Sequence, residues 1–268
     1  MTGTTPTRFR VHHFAELKAR QEPITMLTCY DTLHARLFDT AGIETLLVGD
    51  SYGNTMLGYP STIPVTLEEM VIATRAVARG ARRAFIVGDL PFGSYEESEA
   101  QAVRSSIALI KAGAHAVKLE GGERQAHTIR AITAAGVSVV GHIGFTPQSE
   151  AKLGGPRVQG RGEEGATRLI DDAAAVQEAG AIAVVLEMVP AKLAAKITEI
   201  LEIPTIGIGA GAGTDGQVLV WTDMAGMTEW TPSFSQQFGQ IGKALTQAAT
   251  DYKNAVKSGE FPAEKHSF

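Results

Sequence analysis

The sequence predicts an α/β fold, a single-domain (β/α)8 TIM barrel. Eight short, β-rich apolar runs recur along the 268 residues, and amphipathic helical patterns fall between them. The chain also has the length that eight β–α units need. A doubly wound open sheet is the alternative on pattern alone.

The runs "ITMLTCYD", "TLLVGDS", "AFIVGDLP" and "AVKLEGG" begin at Ile24, Thr45, Ala84 and Ala116. The next four, "VSVVGHIG", "AVVLEMVP", "TIGIGAG" and "VLVWTDMA", begin at Val137, Ala183, Thr205 and Val218. Runs so nearly continuous in Val, Ile and Leu fit strands covered on both faces. The eighth is the least regular, and the "TDGQ" link before it leaves room for only a short helix.

Thr66 is a candidate N-cap for the helix "LEEMVIATRAVARGA". "SEAQAVRSSIALIKAGA" opens at Ser98 and closes on Gly113, and "ERQAHTIRAITAAG" closes on Gly136, glycines placed to end a helix. "GEEGATRLIDDAAAVQEAG", "AKLAAKITEIL" and a last helix over roughly residues 235–257 complete the set. "GGPRVQGRG", from Gly154 to Gly162, is long for a βα loop and reads as a lid-like insertion after strand five, or else as a flexible surface loop. "GIGAGAG", from Gly207, lacks the spacing of a dinucleotide loop and reads as a tight loop after strand seven. Without a low-complexity linker, residues 1–268 read as one domain with short flexible termini.

A chain 44% hydrophobic can bury a full core without covalent staples. Its net charge of −5 and scattered Lys and Arg do not favour nucleic acid. One cysteine, Cys29, forms no intrachain disulfide, fits a reducing compartment and reads as core packing. The start "MTGTTPTRFRVHHFAELKAR" has no secretory apolar region, and no apolar run approaches the ~20 residues that span a bilayer. The expectation is a cytoplasmic protein with no membrane partner.

Chemistry collects at the ends of the runs. The second ends on Asp50 and Ser51, the third on Asp89 and the fifth on His142; the fourth carries Lys118 and Glu120, and the sixth ends on Glu187. One such Asp is usually a turn or capping residue. Five consecutive strands doing so is a different observation, because parallel barrel strands end around one mouth. Lys118 and Glu120 share a strand face, so burial demands a partner or a ligand; a structural pair between the two is the plain alternative. Asp50, Asp89 and Glu120 form a hard, all-oxygen set suited to Mg2+. Lys118 can hold an anionic substrate group, Glu187 is left as a candidate base, and His142 as a hydrogen-bonding partner. Together these suggest enolate chemistry.

The stretches "LLVGDSYGNTMLGYPSTIPVT", "GDLPFGSY", "AVKLEGG", "GHIGFTPQS", "RVQGRG", "LEMVP" and "GIGAGAGTDGQVLVW" resemble, in order, the ketopantoate hydroxymethyltransferase family. The resemblance implies a Mg2+-dependent barrel that moves a hydroxymethyl group from 5,10-methylenetetrahydrofolate to 3-methyl-2-oxobutanoate, giving the pantothenate precursor 2-dehydropantoate. It places the metal on Asp50, Asp89 and Glu120, the keto acid on Asp50, Ser51, Asp89 and Lys118, and the proton acceptor on Glu187. It also implies a large homo-oligomer, commonly a decamer. The chain departs from the family's usual residues at Pro60, Pro156 and Thr222. Competing readings are a phosphoenolpyruvate mutase or isocitrate lyase type enzyme, a Schiff-base aldolase using Lys118, and a non-catalytic keto-acid-binding barrel.

Overall fold

The structure, a computed structural model, describes residues 8–268. The amino-terminal part of the expected flexible termini, residues 1–7, lies outside the described residues. The chain divides into two compact units, Met1–Leu219 and Val220–Phe268.

The first unit holds eight strands: β1 (Ile24–Thr28), β2 (Thr45–Val48), β3 (Phe85–Asp89), β4 (Ala116–Glu120), β5 (Ser138–Gly144), β6 (Ala183–Glu187), β7 (Thr205–Ile208) and β8 (Gly216–Leu219). They pair in sequence order, every pair parallel, and β8 returns to β1 to close the barrel. Its helices are α1 (Val11–Arg20), α2 (Thr32–Ala41), α3 (Tyr52–Thr55), α4 (Leu67–Gly80), α5 (Glu99–Ala112), α6 (Ala126–Ala134), α7 (Glu150–Leu153), α8 (Gly162–Glu178) and α9 (Ala191–Ile200).

Local chemistry sets these boundaries. Thr66 caps α4 in a reciprocal box: its Oγ1 accepts from the Glu69 amide, and Glu69 Oε2 accepts from the Thr66 amide. Ser98 caps α5, which ends on Gly113 at φ +114°, a left-handed conformation that suits glycine. Helix α2, which the reading from sequence left unnamed, starts at an Asp31 cap that accepts from the His34 amide. The expected insertion does follow β5: a turn of 3-10 helix at Pro147–Ser149, then α7, then an irregular stretch to α8.

Alternation along each strand separates two cores. Leu46, Ile86, Val117, Leu119, Val139, Val184 and Leu186 face the helix layer. Ile24, Met26, Leu47, Phe85, Val87, Ala116, Val140, Ala183, Val185 and Ile206 fill the lumen. Helix α1 joins this inner core through Phe14 and Leu17, and the Phe14 ring meets Phe85 edge-on at 5.2 Å. The lumen is thus apolar toward the amino ends of the strands, where α1 covers it.

The run "VLVWTDMA", which begins in the first unit, does not continue as one strand into the second. Strand β8 stops at Leu219, and α10 (Trp221–Met224) follows. A buried Trp221 in a helical turn extends the apolar run past the change of structure. Helix α11 spans Ile241–Ser258, so it starts later than expected. The amides of Phe238 and Ile241 bond instead to the carbonyls of Met224 and Ala225, which holds the preceding segment out of the helix. Among the described residues, no helix is long and apolar enough to cross a membrane.

Candidate active site at the carboxyl end of the barrel

On four strands the inward face changes from apolar to polar toward the carboxyl end. Phe85 and Val87 lead to Asp89, Ala116 to Lys118 and Glu120, Val140 to His142, and Ala183 and Val185 to Glu187. The backbone ladder runs past the strand ends: the amides of Leu90, Gly121 and Phe145 donate to the carbonyls of Lys118, His142 and Glu187. The polar tips therefore sit on rigid backbone.

These tips form one connected set. The Asp50 amide donates to Asp89 Oδ2 at 3.1 Å. Asp89 Oδ1 lies 2.9 Å from Lys118 Nζ. Lys118 Nζ is 3.3 Å from His142 Nδ1, which is also 3.3 Å from Glu120 Oε1. His142 Nε2 lies 3.2 Å from Glu187 Oε2, close enough for charge pairing but off the line of a hydrogen bond. Ser51 begins α3, and its Oγ is 2.8 Å from the Tyr30 hydroxyl. The ion pair of Lys118 is thus with Asp89 on the neighbouring strand, not the structural pair with Glu120 that the sequence left open.

Asp50, Asp89, Glu120, Lys118 and His142 are all buried, while Glu187 is partly exposed. Burial and the charge of Asp89 hold Asp50 well above the usual carboxylate range, with Lys118 pulling the other way. Burial raises Asp89 too, against the pull of Lys118. Burial would lower Lys118, but Asp89, Glu120 and Asp50 outweigh it and keep the ammonium charged. A Schiff base needs the neutral amine, so this surrounding disfavours the aldolase reading. Burial and Lys118 push His142 down, while Glu120 and Glu187 push it up, with a net rise to about 9.

Two side chains that sequence reasoning passed over complete the site. Gln148, just past β5, donates from Nε2 to Asp50 Oδ2 at 2.8 Å and to the Leu90 carbonyl at 3.0 Å. Its backbone amide donates to Glu120 Oε2 at 3.0 Å. Tyr95 donates its hydroxyl to Gln148 Oε1 at 2.5 Å and accepts from the Glu120 amide at 3.3 Å. Both residues belong to stretches that carried the resemblance, "GHIGFTPQS" and "GDLPFGSY". The available signal was a polar residue close behind a strand end.

Beside the candidate base, Met188 has φ +50°, a sparsely populated conformation for a side chain of this size. It is held there by two bonds: its amide donates to the Ile208 carbonyl, and its carbonyl accepts from the Gln159 amide of the insertion. Cys29 is buried, and burial pushes its thiol up to about 12, in keeping with a packing role.

The donor set fits a hard divalent cation. Three buried carboxylates offer oxygen only, and Glu120 Oε1 has no hydrogen bond. Among the described residues, the set of three ligand atoms within 4.8 Å of one another is His12, His13 and Glu16 on α1. His13 Nδ1 there already accepts the Arg10 amide at 2.8 Å. The mouth carboxylates are spread more widely than this.

Comparison with known proteins supplies the family. The solved structures of phosphonopyruvate hydrolase complexed with oxalate and Mg++ (TM-score 0.61, 13% identity) and of 2,3-dimethylmalate lyase (TM-score 0.62, 14% identity) share the fold. The first comparison covers 96% of this chain and 92% of the other, the second 98% and 93%. The lyase is described as a member of the PEP mutase/isocitrate lyase superfamily, and at such identities the likeness is one of fold. Sequence likeness is far greater to two proteins named 3-methyl-2-oxobutanoate hydroxymethyltransferase. The protein from Leifsonia xyli subsp. xyli is 57% identical over 98% of this chain and 96% of its own length. That from Rhodococcus jostii is 56% identical over 97% and 90%. Residues 8–264 match the family described as ketopantoate hydroxymethyltransferase. With fold and sequence in agreement along nearly its whole length, the chain belongs to the ketopantoate hydroxymethyltransferase family, and it is a transferase.

Proposed function

We propose that this enzyme transfers a hydroxymethyl group from 5,10-methylenetetrahydrofolate to 3-methyl-2-oxobutanoate, giving 2-dehydropantoate for pantothenate synthesis. The observation that carries the reading is the joining of Asp50, Asp89, Lys118, Glu120, His142 and Glu187 at one mouth of the barrel. Asp50, Asp89 and Glu120 would hold one Mg2+. Bound there, the ion would polarise the keto oxygen and make the adjacent C–H more acidic.

The remaining steps belong to the chain's own residues. Lys118 binds the substrate carboxylate, with Ser51 and His142 lining the same mouth. Glu187 takes the proton from C3, and His142, 3.2 Å away, steadies its carboxylate. The enolate carbon then bonds to the methylene carbon of the folate as its C–N10 bond breaks, and N10 takes up the proton that Glu187 removed. Water replaces N5 at that carbon, leaving its hydroxyl there and its other proton on N5, and tetrahydrofolate leaves. Family resemblance further supports a cytoplasmic homodecamer.

The first half of the reaction needs no folate. In D2O with Mg2+, the wild-type enzyme should exchange the C3 proton of 3-methyl-2-oxobutanoate, followed by NMR. A substrate that binds and keeps its proton would refute the enolate reading and favour a barrel that only binds keto acids.

A further inference from the structure

We infer that Gln148 is a positioning residue that selects which oxygens of Asp50 and Glu120 face the cation, and that Tyr95 fixes Gln148 in the one orientation able to do so. The inference rests on the Mg2+ reading above.

A glutamine amide has a donor end and an acceptor end. The two acceptors beside Nε2, Asp50 Oδ2 and the Leu90 carbonyl, distinguish them, and the Tyr95 hydroxyl meets the other end. Its oxygen accepts the Glu120 amide, and its proton goes to Gln148 Oε1. Both protons on Nε2 are then committed, one to Asp50 Oδ2 and one to the Leu90 carbonyl. Turning the amide over would aim an acceptor at two acceptors, at a buried site where unmet polar groups are costly. The hydroxyl of Tyr95, 2.5 Å from Oε1 and 3.5 Å from the Glu120 carbonyl, secures the orientation that these acceptors set.

The backbone amide of Gln148 meanwhile holds Glu120 Oε2. One residue therefore ties one oxygen of each carboxylate and leaves Asp50 Oδ1 and Glu120 Oε1 for other partners. Glu120 Oε1 has no hydrogen bond, and the group facing it is His142 Nδ1 at 3.3 Å. Because Leu90 follows Asp89, the same amide also anchors the end of β3. The carboxylates proposed as ligands come from three strand ends that lie far apart in sequence, and Gln148 reaches all three. Gln148 and Tyr95 are themselves buried, at 5% and 2% exposure, so the bracket is shielded from competing water.

The test is ion binding without turnover. MgCl2 is titrated calorimetrically into metal-stripped full-length protein, wild type, Gln148→Ala and Tyr95→Phe, with melting curves in EDTA for each. Gln148→Ala should weaken Mg2+ binding ~10–100-fold, the usual cost of losing a group that orients a ligand. Tyr95→Phe should weaken it in the same direction by less. If Gln148→Ala does not fold, Tyr95→Phe, which removes a single hydroxyl, decides alone. A lower melting temperature in EDTA with an unchanged Mg2+ dissociation constant overturns the inference, since the bracket would then serve packing only. A wild type that binds no Mg2+ overturns the metal reading and this inference with it, an outcome distinct from equal binding by all three proteins.

Discussion

Lys118 Nζ and Asp89 Oδ1 lie 2.9 Å apart, on residues directly paired across β3 and β4. The register of two buried strands therefore fixes the position of the Lys118 ammonium, the group proposed to meet the substrate. Lys118→Ala should weaken 3-methyl-2-oxobutanoate binding by about 2–5 kcal/mol, the range for losing a buried charge partner. Calorimetric titration of the keto acid with Mg2+ present reads it directly. Unchanged affinity would mean that Lys118 serves Asp89 alone.

Removal of the metal should abolish activity, and MgCl2 should restore it. Asp89→Asn keeps the shape of the side chain but loses the charge of a proposed ligand. Its Mg2+ dissociation constant should rise at least ~10-fold, or about 1.4 kcal/mol. Full turnover in EDTA, or wild-type affinity in this variant, would exclude Asp89 as a ligand.

Glu187→Gln should still bind the keto acid and Mg2+ but exchange the C3 proton at least ~10²-fold more slowly, the lower end of general-base contributions. Exchange at the wild-type rate would move the base elsewhere, and His142 would be tested next.

Gly144 pairs with Glu187 across β5 and β6 and has φ +93°. A Cβ at this position would come within 2.2 Å of the Glu187 carbonyl oxygen. Gly144→Ala should therefore displace Glu187, the proposed base, as well as strain β5. A shift near 1 Å can cost ~10²-fold in rate, so kcat should fall steeply while Mg2+ affinity changes little. Wild-type kcat would show that β6 absorbs the extra atom elsewhere.

His115 lies away from the mouth. Its Nδ1 accepts the Ile86 amide at 2.9 Å, which requires that nitrogen unprotonated. Burial, with Arg8 and Arg10 nearby, lowers it to about 4. Its folded pKa is thus below its unfolded one, so the unfolded chain binds more protons as the medium acidifies. The stabilisation is complete above roughly pH 6.5, the ordinary His value, and is lost on descending toward 4. His115→Gln should lose less melting temperature than wild type between pH 7 and pH 4.5. Parallel curves would place the acid sensitivity elsewhere.

The barrel was legible because strands buried on both faces leave apolar runs that surface elements do not. The strand-end residues were legible for a related reason: a charge at the end of such a run has few structural uses. Gln148 was not legible, because its bond to Asp50 joins residues 98 apart and no local pattern encodes such a meeting. Helix α1 was given no place in the reading from sequence, since only the closed barrel creates the lumen that Phe14 enters. The end of β8 was missed because apolar continuity is shared by a strand and a buried helical turn.

The inward alternation of β4 makes its chemistry a matter of parity. Ala116, Lys118 and Glu120 face the lumen, and Val117 and Leu119 face the helices. A single residue inserted at the start of this strand would exchange the two sets. Both charges would enter the apolar helix layer, and two aliphatic side chains would take the places of the cation and its neighbour at the mouth. A shift carried through the strand would therefore empty the site and charge the core together. Loss of register in β4 would thus cost the fold as well as the candidate site, for the same strand supplies both.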